Sequence, residues 1–198
     1  MNSTALKIHT RFPSLHRLIF FDVESSGLHK GSFPIQFGWT GIDLTSHQFL
    51  VRPHKKWSTR QTDPVSFDMH GISRQETNEK GISLDRSCFR LNTALMGADV
   101  ISDNPKYDQY WTDQLFQTAS IKREFKIHGL GAVVRRTPSM QDKWCWSRYA
   151  EIYEAVKYWY PHTHKADEDS LSAAAMFRGL IDREWAMWVL DRKRSDFL

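Results

Sequence analysis

Cysteine is scarce, with only Cys88 and Cys145 in 198 residues. The two stand far apart and in no metal-type spacing, which excludes a disulfide framework and a cysteine-rich zinc module. Idle or buried thiols in a reducing compartment fit instead. Long apolar runs are missing as well. Leu18-Ile19-Phe20-Phe21 is a strand-length run, and nothing approaches the roughly 18–20 residues that cross a bilayer. No membrane association is expected. Residues 1–17 are polar and mixed, without the apolar centre of a secretory signal. That leaves a cytoplasmic location as the expectation. Charge of one sign is in only mild excess: Lys and Arg number 27 against 23 Asp and Glu, a formal +4. This balance is compatible with a polyanionic partner and would not suggest one alone. Repeats, low-complexity tracts and obvious linkers are absent.

What is present is an ordinary globular composition, 40% hydrophobic and 25% charged, which argues against global disorder. The length suits one domain with a buried core. The expected division is an N-terminal extension over 1–17 and a single domain over 18–198. Leu18–Val23, Pro34–Ile42 and His47–Arg52 read as three strands joined by short turns, an antiparallel meander. Pro53–Asp63 reads as a loop. Asp63 and Pro64 suit the cap and first position of a short helix. Further on, Leu84–Met96 and Lys106–Thr118 show helical spacing, with short strands at Ala98–Ser102 and Phe125–Ile127. Trp144–Tyr160 reads as one long aromatic helix stopped by Pro161. Asp167–Leu180 is another helix, and Trp185–Leu190 a last turn or two. A meander followed by alternating helix and strand gives an α/β domain with a mixed five-stranded sheet flanked by helices.

Four acids stand out by position. Asp22 and Glu24 share one face at the end of the first strand, where two carboxylates are costly to bury without a cation. A hard divalent ion would satisfy both. They also read as the polar end of a strand entering a loop. Asp169 follows His164 by five residues near a helix start, where Asp167 suits the cap and Asp169 can turn toward the core. Asp108 lies in the first turns of a helix that Asn104 is placed to cap, with Pro105 just inside it. Asp113, on the same helix, reads as solvated.

Together these segments resemble the DEDDh (DnaQ-like) exonucleases. Phe21-Asp22-Val23-Glu24-Ser25-Ser26-Gly27-Leu28 resembles the family's first motif, with Ser25-Ser26 in place of the commoner Thr-Thr. His70-Gly71-Ile72-Ser73 resembles a short segment carried after the third strand. Asn104 to Asp108 resembles the second motif, which usually opens His-Asn-Ala where this chain has Asp103-Asn104-Pro105. His164 to Asp169 resembles the third. All four occur in the family's order, across roughly residues 18–180.

The resemblance implies a ribonuclease H-like fold and a metal-dependent 3′→5′ exonuclease that releases nucleoside 5′-monophosphates from DNA or RNA. Two Mg²⁺ or Mn²⁺ ions are implied, held by Asp22, Glu24, Asp108 and Asp169. Asp22 would bridge both, Glu24 and Asp169 would hold the one beside the attacking water, and Asp108 would support the other. His164 would be the general base, a task its natural pKa range suits. The implied substrate contacts are Ser25, Ser26, Gly27, Leu28, His70, Ile72, Asn104 and Tyr107, with Leu28, Ile72 and Tyr107 sandwiching the last base. The partner would be a nucleic acid with a free 3′ end, and a homodimer is a further expectation.

Other readings stay open. The chain could be a nucleic-acid-binding or scaffold protein on a degenerate nuclease fold, or a hydrolase that cuts internally. His162, His164 and Cys145 match no common zinc spacing. Lys55-Lys56, Arg135-Arg136 and Arg192-Lys193-Arg194 could track phosphates, Arg135-Arg136 best of the three. They could equally be solvated surface. Trp144, Tyr149, Ile152, Val156 and Trp159 have helical spacing and read as core. Residues 132–143 match no recognisable element.

Overall fold

The structure is a computed structural model that describes residues 15–57, 62–131, 133 and 142–196. Five strands form one sheet: β1 (Leu18–Ser25), β2 (Pro34–Gly41), β3 (Ser46–Leu50), β4 (Asp99–Ser102) and β5 (Ile127–Gly129). Their spatial order is β3-β2-β1-β4-β5. The β1–β2 and β2–β3 pairs are antiparallel, and β1–β4 and β4–β5 are parallel. This is the expected mixed α/β sheet of the ribonuclease H-like kind. β1 sits at its centre, so its apolar residues are covered on both faces.

The alternation along β1 divides the core. Phe21 and Val23 point to one face, with Phe37, Leu91, Leu95, Trp111 and Leu115. That face is covered by α3 (Leu84–Leu95) and α4 (Pro105–Ala119). Leu18 and Phe20 point to the other, against Ala174, Phe177 and Ile181 of α7 (Ala166–Ile181). Leu15, within the stretch expected to be an extension, packs in this second cluster, whereas residues 1–14 lie outside the described residues. A third cluster, with Ile152, Val156, Trp185 and Val189, joins α6 (Tyr149–Trp159) and α8 (Arg183–Ser195) to α7. Among the described residues no helix is long and apolar enough to cross a membrane.

Several elements differ from the sequence reading. The long helix at 144–160 is two helices, α5 (Lys143–Ser147) and α6. Arg148 leaves helical dihedrals at φ −113°, ψ 22°, binds Glu151 in the new first turn and lies over the Trp144 ring. Of the five residues read there as core, Ile152 and Val156 are buried, Trp144 and Trp159 are half-buried, and Tyr149 is exposed. An unforeseen helix, α2 (Arg74–Lys80), follows α1 (Pro64–His70). Ser73 caps α2 by accepting from Glu76 N, in the Ser-x-x-Glu spacing of a capping box. Gly71 ends α1 at φ 66°, a left-handed position that favours glycine. α8 runs for 13 residues rather than a turn or two. β5 begins at Ile127, because Phe125 turns into the core before the strand starts.

Candidate active site

Leu18, Phe20, Asp22 and Glu24 alternate onto the α7 face of β1, so both acids stand at the strand's carboxyl end where the apolar lining stops. In the antiparallel register Asp22 lies opposite Gly38 of β2. A Cβ on Gly38 would lie 2.1 Å from the Ala166 carbonyl carbon and 2.3 Å from Asp167 N. Only a residue with no side chain lets the first turn of α7 cross the strand here.

The neighbours of Gly38 on the same face finish the docking. Gln36 Oε1 accepts from Ala166 N at 3.0 Å, and the Thr40 and Ser170 hydroxyls are 2.9 Å apart. Asp167 therefore does not cap α7. Lys165 occupies the cap position without a side-chain bond, and the Asp167 carboxylate turns to the Gln36 amide, 3.4 Å away. This close approach delivers Asp169 to the acids of β1. One ligand oxygen from each of Asp22, Glu24 and Asp169 lies within 4.8 Å of the others.

Asp108 reaches the same strand from the other side. It is buried near the start of α4, where the Ser102 hydroxyl donates to its Oδ2. Asn104 stands at the cap position of α4 without capping it through its side chain. The Ser102 hydroxyl instead accepts from Asn104 N at 2.9 Å, which leaves the Asn104 side chain exposed. Asp22, Asp103 and Asp108 form a second group with ligand atoms within 4.8 Å of one another. Asp103 entered the sequence reading only as a departure from the second motif. Its adjacency to the site depends on the turn after β4, which no local pattern discloses.

Burial first, and crowding second, raises the pKa values of these carboxylates. Burial, then the charges of Asp108, Glu24, Asp169 and Asp103, holds the Asp22 carboxyl well above the usual range. Burial pushes Glu24 up to about 7, with Asp169 adding to it. Asp108 is pushed up to about 8, again by burial first, while the Ser102 hydroxyl pulls the other way. Asp169 is raised by burial, against the opposing pull of Thr163 N–H and of His162 and His164. Buried carboxylates with so few cationic partners fit one or more hard divalent ions, which take oxygen ligands.

The loop before α7 carries the histidines. Thr163 N donates to Asp169 Oδ1 at 2.8 Å, and His162 Nε2 is 3.1 Å from Asp169 Oδ2. His164 packs edge-on against His162 with ring centroids 4.8 Å apart. Its backbone is left-handed, at φ 59°. For a side-chain-bearing residue that conformation costs roughly 1–2 kcal/mol and persists where the surroundings impose it. A ligand atom from each of His162, His164 and Asp169 lies within 4.8 Å of the other two. Cys145 is buried in the third cluster and belongs to none of the described groups that could hold a metal.

The remaining residues fall in two sets. Leu28 is exposed, Tyr107 is half-buried and stacks on Trp111 at 5.5 Å, and Ile72 is buried. His70 is buried, with Nδ1 accepting from Ile72 N at 3.0 Å, and burial lowers its pKa. Ser25 Oγ donates to the Gly27 carbonyl at 2.9 Å. Ser26 is fully buried, and its hydroxyl accepts from Phe33 N at 3.0 Å. These two hydroxyls hold the turn after β1. Of the basic runs, Arg135-Arg136 lies outside the described residues, as does most of 132–143. Arg192 lies over the Trp159 ring at 3.9 Å and Lys193 donates to the Glu154 carbonyl. That run therefore knits α8 to α6. Asp113 pairs with Arg123 at 3.4 Å on the surface.

No protein-family model matches the chain, and no curated protein matches it significantly. Solved structures do. A structure of exonuclease I superposes with a TM-score of 0.59 at 17% identity over 86% of this chain and 42% of its own. E. coli exonuclease I in complex with a dT13 oligonucleotide gives 0.57 at 16%, over 86% and 42%. The zinc-bound form of an E. coli exonuclease I–single-stranded DNA complex gives 0.55 at 15%, over 88% and 42%. This chain thus spans less than half the length of each neighbour, and at these identities the likeness is one of fold.

Proposed function

We propose that the chain is a metal-dependent exonuclease that removes nucleotides from the 3′ end of DNA or RNA as 5′-monophosphates. One observation carries this reading. Asp22 belongs to two carboxylate groups at once, with Glu24 and Asp169 on one side and Asp103 and Asp108 on the other. A single carboxylate shared between two oxygen-rich groups suits a bridging ligand for two ions. The residues of the domain proposed to do this work are 18–198.

Glu24, Asp169 and the shared Asp22 would hold one Mg²⁺ or Mn²⁺, and Asp108 with Asp22 the other. When bound, such a pair supplies charge neutralisation for the phosphate and for the attacking and leaving oxygens. His164, with a ring nitrogen within 4.8 Å of an Asp169 oxygen, would take a proton from the attacking water. Thr163 N–H holds Asp169 Oδ1, and the second oxygen lies 3.1 Å from His162 Nε2. Exposed Leu28 and half-buried Tyr107 offer apolar and aromatic surface on which a terminal base can stack without much base preference. By the family resemblance, Ser25, Ser26, Gly27, His70, Ile72 and Asn104 would contact the same terminal nucleotide. The fold shared with exonuclease I supports the class of reaction.

Digestion of single strands labelled at either end tests the reading. With Mg²⁺ or Mn²⁺ the 3′ label leaves first as a mononucleotide, and chelator stops it. A 3′-phosphate or a circular strand resists. Cleavage of the circle would indicate an endonuclease. Binding of strands with no metal-dependent loss of nucleotide would indicate a binding protein on a nuclease fold.

A further inference from the structure

The third motif needs one histidine, and this chain places two against Asp169. We propose that His162, His164 and Asp169 form a site for a borderline transition-metal ion of the zinc class, which shares Asp169 with the all-oxygen group of Asp22 and Glu24 and differs from it in its two imidazoles. Two imidazoles and one carboxylate are the donor set such ions favour, whereas Mg²⁺ favours oxygen alone. The geometry is already close to a binding one. His162 Nε2 and Asp169 Oδ2 are 3.1 Å apart, near the ~3.3 Å edge of a tetrahedron with bonds of ~2.0–2.1 Å. The His164 ring stands at 82° to the His162 ring with centroids 4.8 Å apart. Donor atoms from all three residues lie within 4.8 Å of one another.

Outer contacts hold the set in place. Thr163 N–H binds Asp169 Oδ1 at 2.8 Å, which orients the carboxylate and leaves Oδ2 toward His162. Bracing of that kind is what fixes ligands in metal sites. His162 is half-exposed and His164 half-buried, so an ion has a route from solvent. Filling the site engages His164 and Asp169 together. Resting on the exonuclease reading, the consequence is inhibition: zinc removes the proposed base and one proposed ligand of the hydrolytic arrangement. The binding claim does not depend on that reading.

The test is calorimetric titration of zinc chloride into the chelator-stripped full chain, with X-ray absorption at the zinc edge. The wild-type chain binds one zinc with two imidazole ligands. His162→Gln weakens zinc binding by at least about tenfold and removes one imidazole from the absorption signature, whereas Glu24→Gln, outside the three ligands, keeps the two-imidazole signature and loses less affinity. In the Mn²⁺-supported digestion, zinc inhibits the wild type, and His162→Gln moves the inhibiting concentration upward by the same factor. Undiminished zinc affinity in His162→Gln overturns the proposal. So does equal loss in Glu24→Gln, which would place the zinc among the carboxylates. If no strand is digested under any condition the exonuclease reading fails, and the titration and absorption still decide the zinc site.

Discussion

Asp108 and Asp169 are the same residue type, both buried, on opposite sides of Asp22, and their surroundings differ. Asp169 has a backbone N–H, a histidine at 3.1 Å and a second histidine within reach. Asp108 has the Ser102 hydroxyl and a backbone hydrogen bond with Val23, no histidine in its described metal-type group, and stands among Asp22, Asp103 and Glu24. One side of the site balances its negative charge with its own donors. The other side has hydrogen-bond donors but no histidine in its group, and burial pushes Asp108 up to about 8.

The largest expected effect comes from the residue common to both sides. Asp22→Asn reduces turnover to the uncatalysed background, and it raises the melting temperature of the metal-free protein by removing a crowded buried charge. A variant that melts lower without metal would deny that Asp22 is electrostatically frustrated. Next, His164→Ala lowers kcat by about 10²–10⁴-fold, the usual worth of a general base, while Mn²⁺ occupancy measured by paramagnetic resonance is retained. Near-normal turnover would remove His164 from that role.

Gly38→Ala follows. Its new methyl meets the Ala166 and Asp167 backbone, so α7 must shift, with a loss of about 1–3 kcal/mol in denaturant unfolding and slower turnover from misplacing Asp169. A fully active, fully stable variant would show that the close crossing is dispensable. The smallest effect is on the metal-free protein's pH profile. Glu24 and Asp108 have folded-state pKa values above their ordinary ones, about 7 and about 8. The folded state therefore binds more protons than the unfolded state from about 4 up to these values. Stability is fullest below about 4 and declines as pH rises through about 7 to 8, and saturating Mg²⁺ flattens the decline. A metal-free melting temperature that climbs over this window would contradict the account.

The legible parts of the molecule were those written in short local patterns. The apolar run ending in Asp22 and Glu24, and the His164-to-Asp169 spacing, each occupy a few adjacent residues. So do the alternations that mark the three-strand meander, and the fold class follows from their order. What joins the pieces is tertiary. Gln36, Gly38 and Thr40 share one face of β2, opposite Ile35, Phe37 and Trp39. A polar and small stripe inside so aromatic a strand was the signal that something else packs there. Asp103 joins Asp108 through the turn that Ser102 organises. The break at Arg148 left no trace in helical periodicity, because the aromatic spacing continues across it. The contact of His162 with Asp169 comes from a loop that passes through a left-handed backbone at His164, which residue identities do not announce.

The claim on which the rest depends is that two divalent ions share the Asp22 carboxylate. Titrating Mn²⁺ into the chelator-stripped chain, with bound ion counted by paramagnetic resonance, tests it most directly. The account predicts two equivalents, magnetically coupled, with both lost in Asp22→Asn. Absence of bound Mn²⁺ in the wild-type chain, or binding that Asp22→Asn leaves intact, would contradict it.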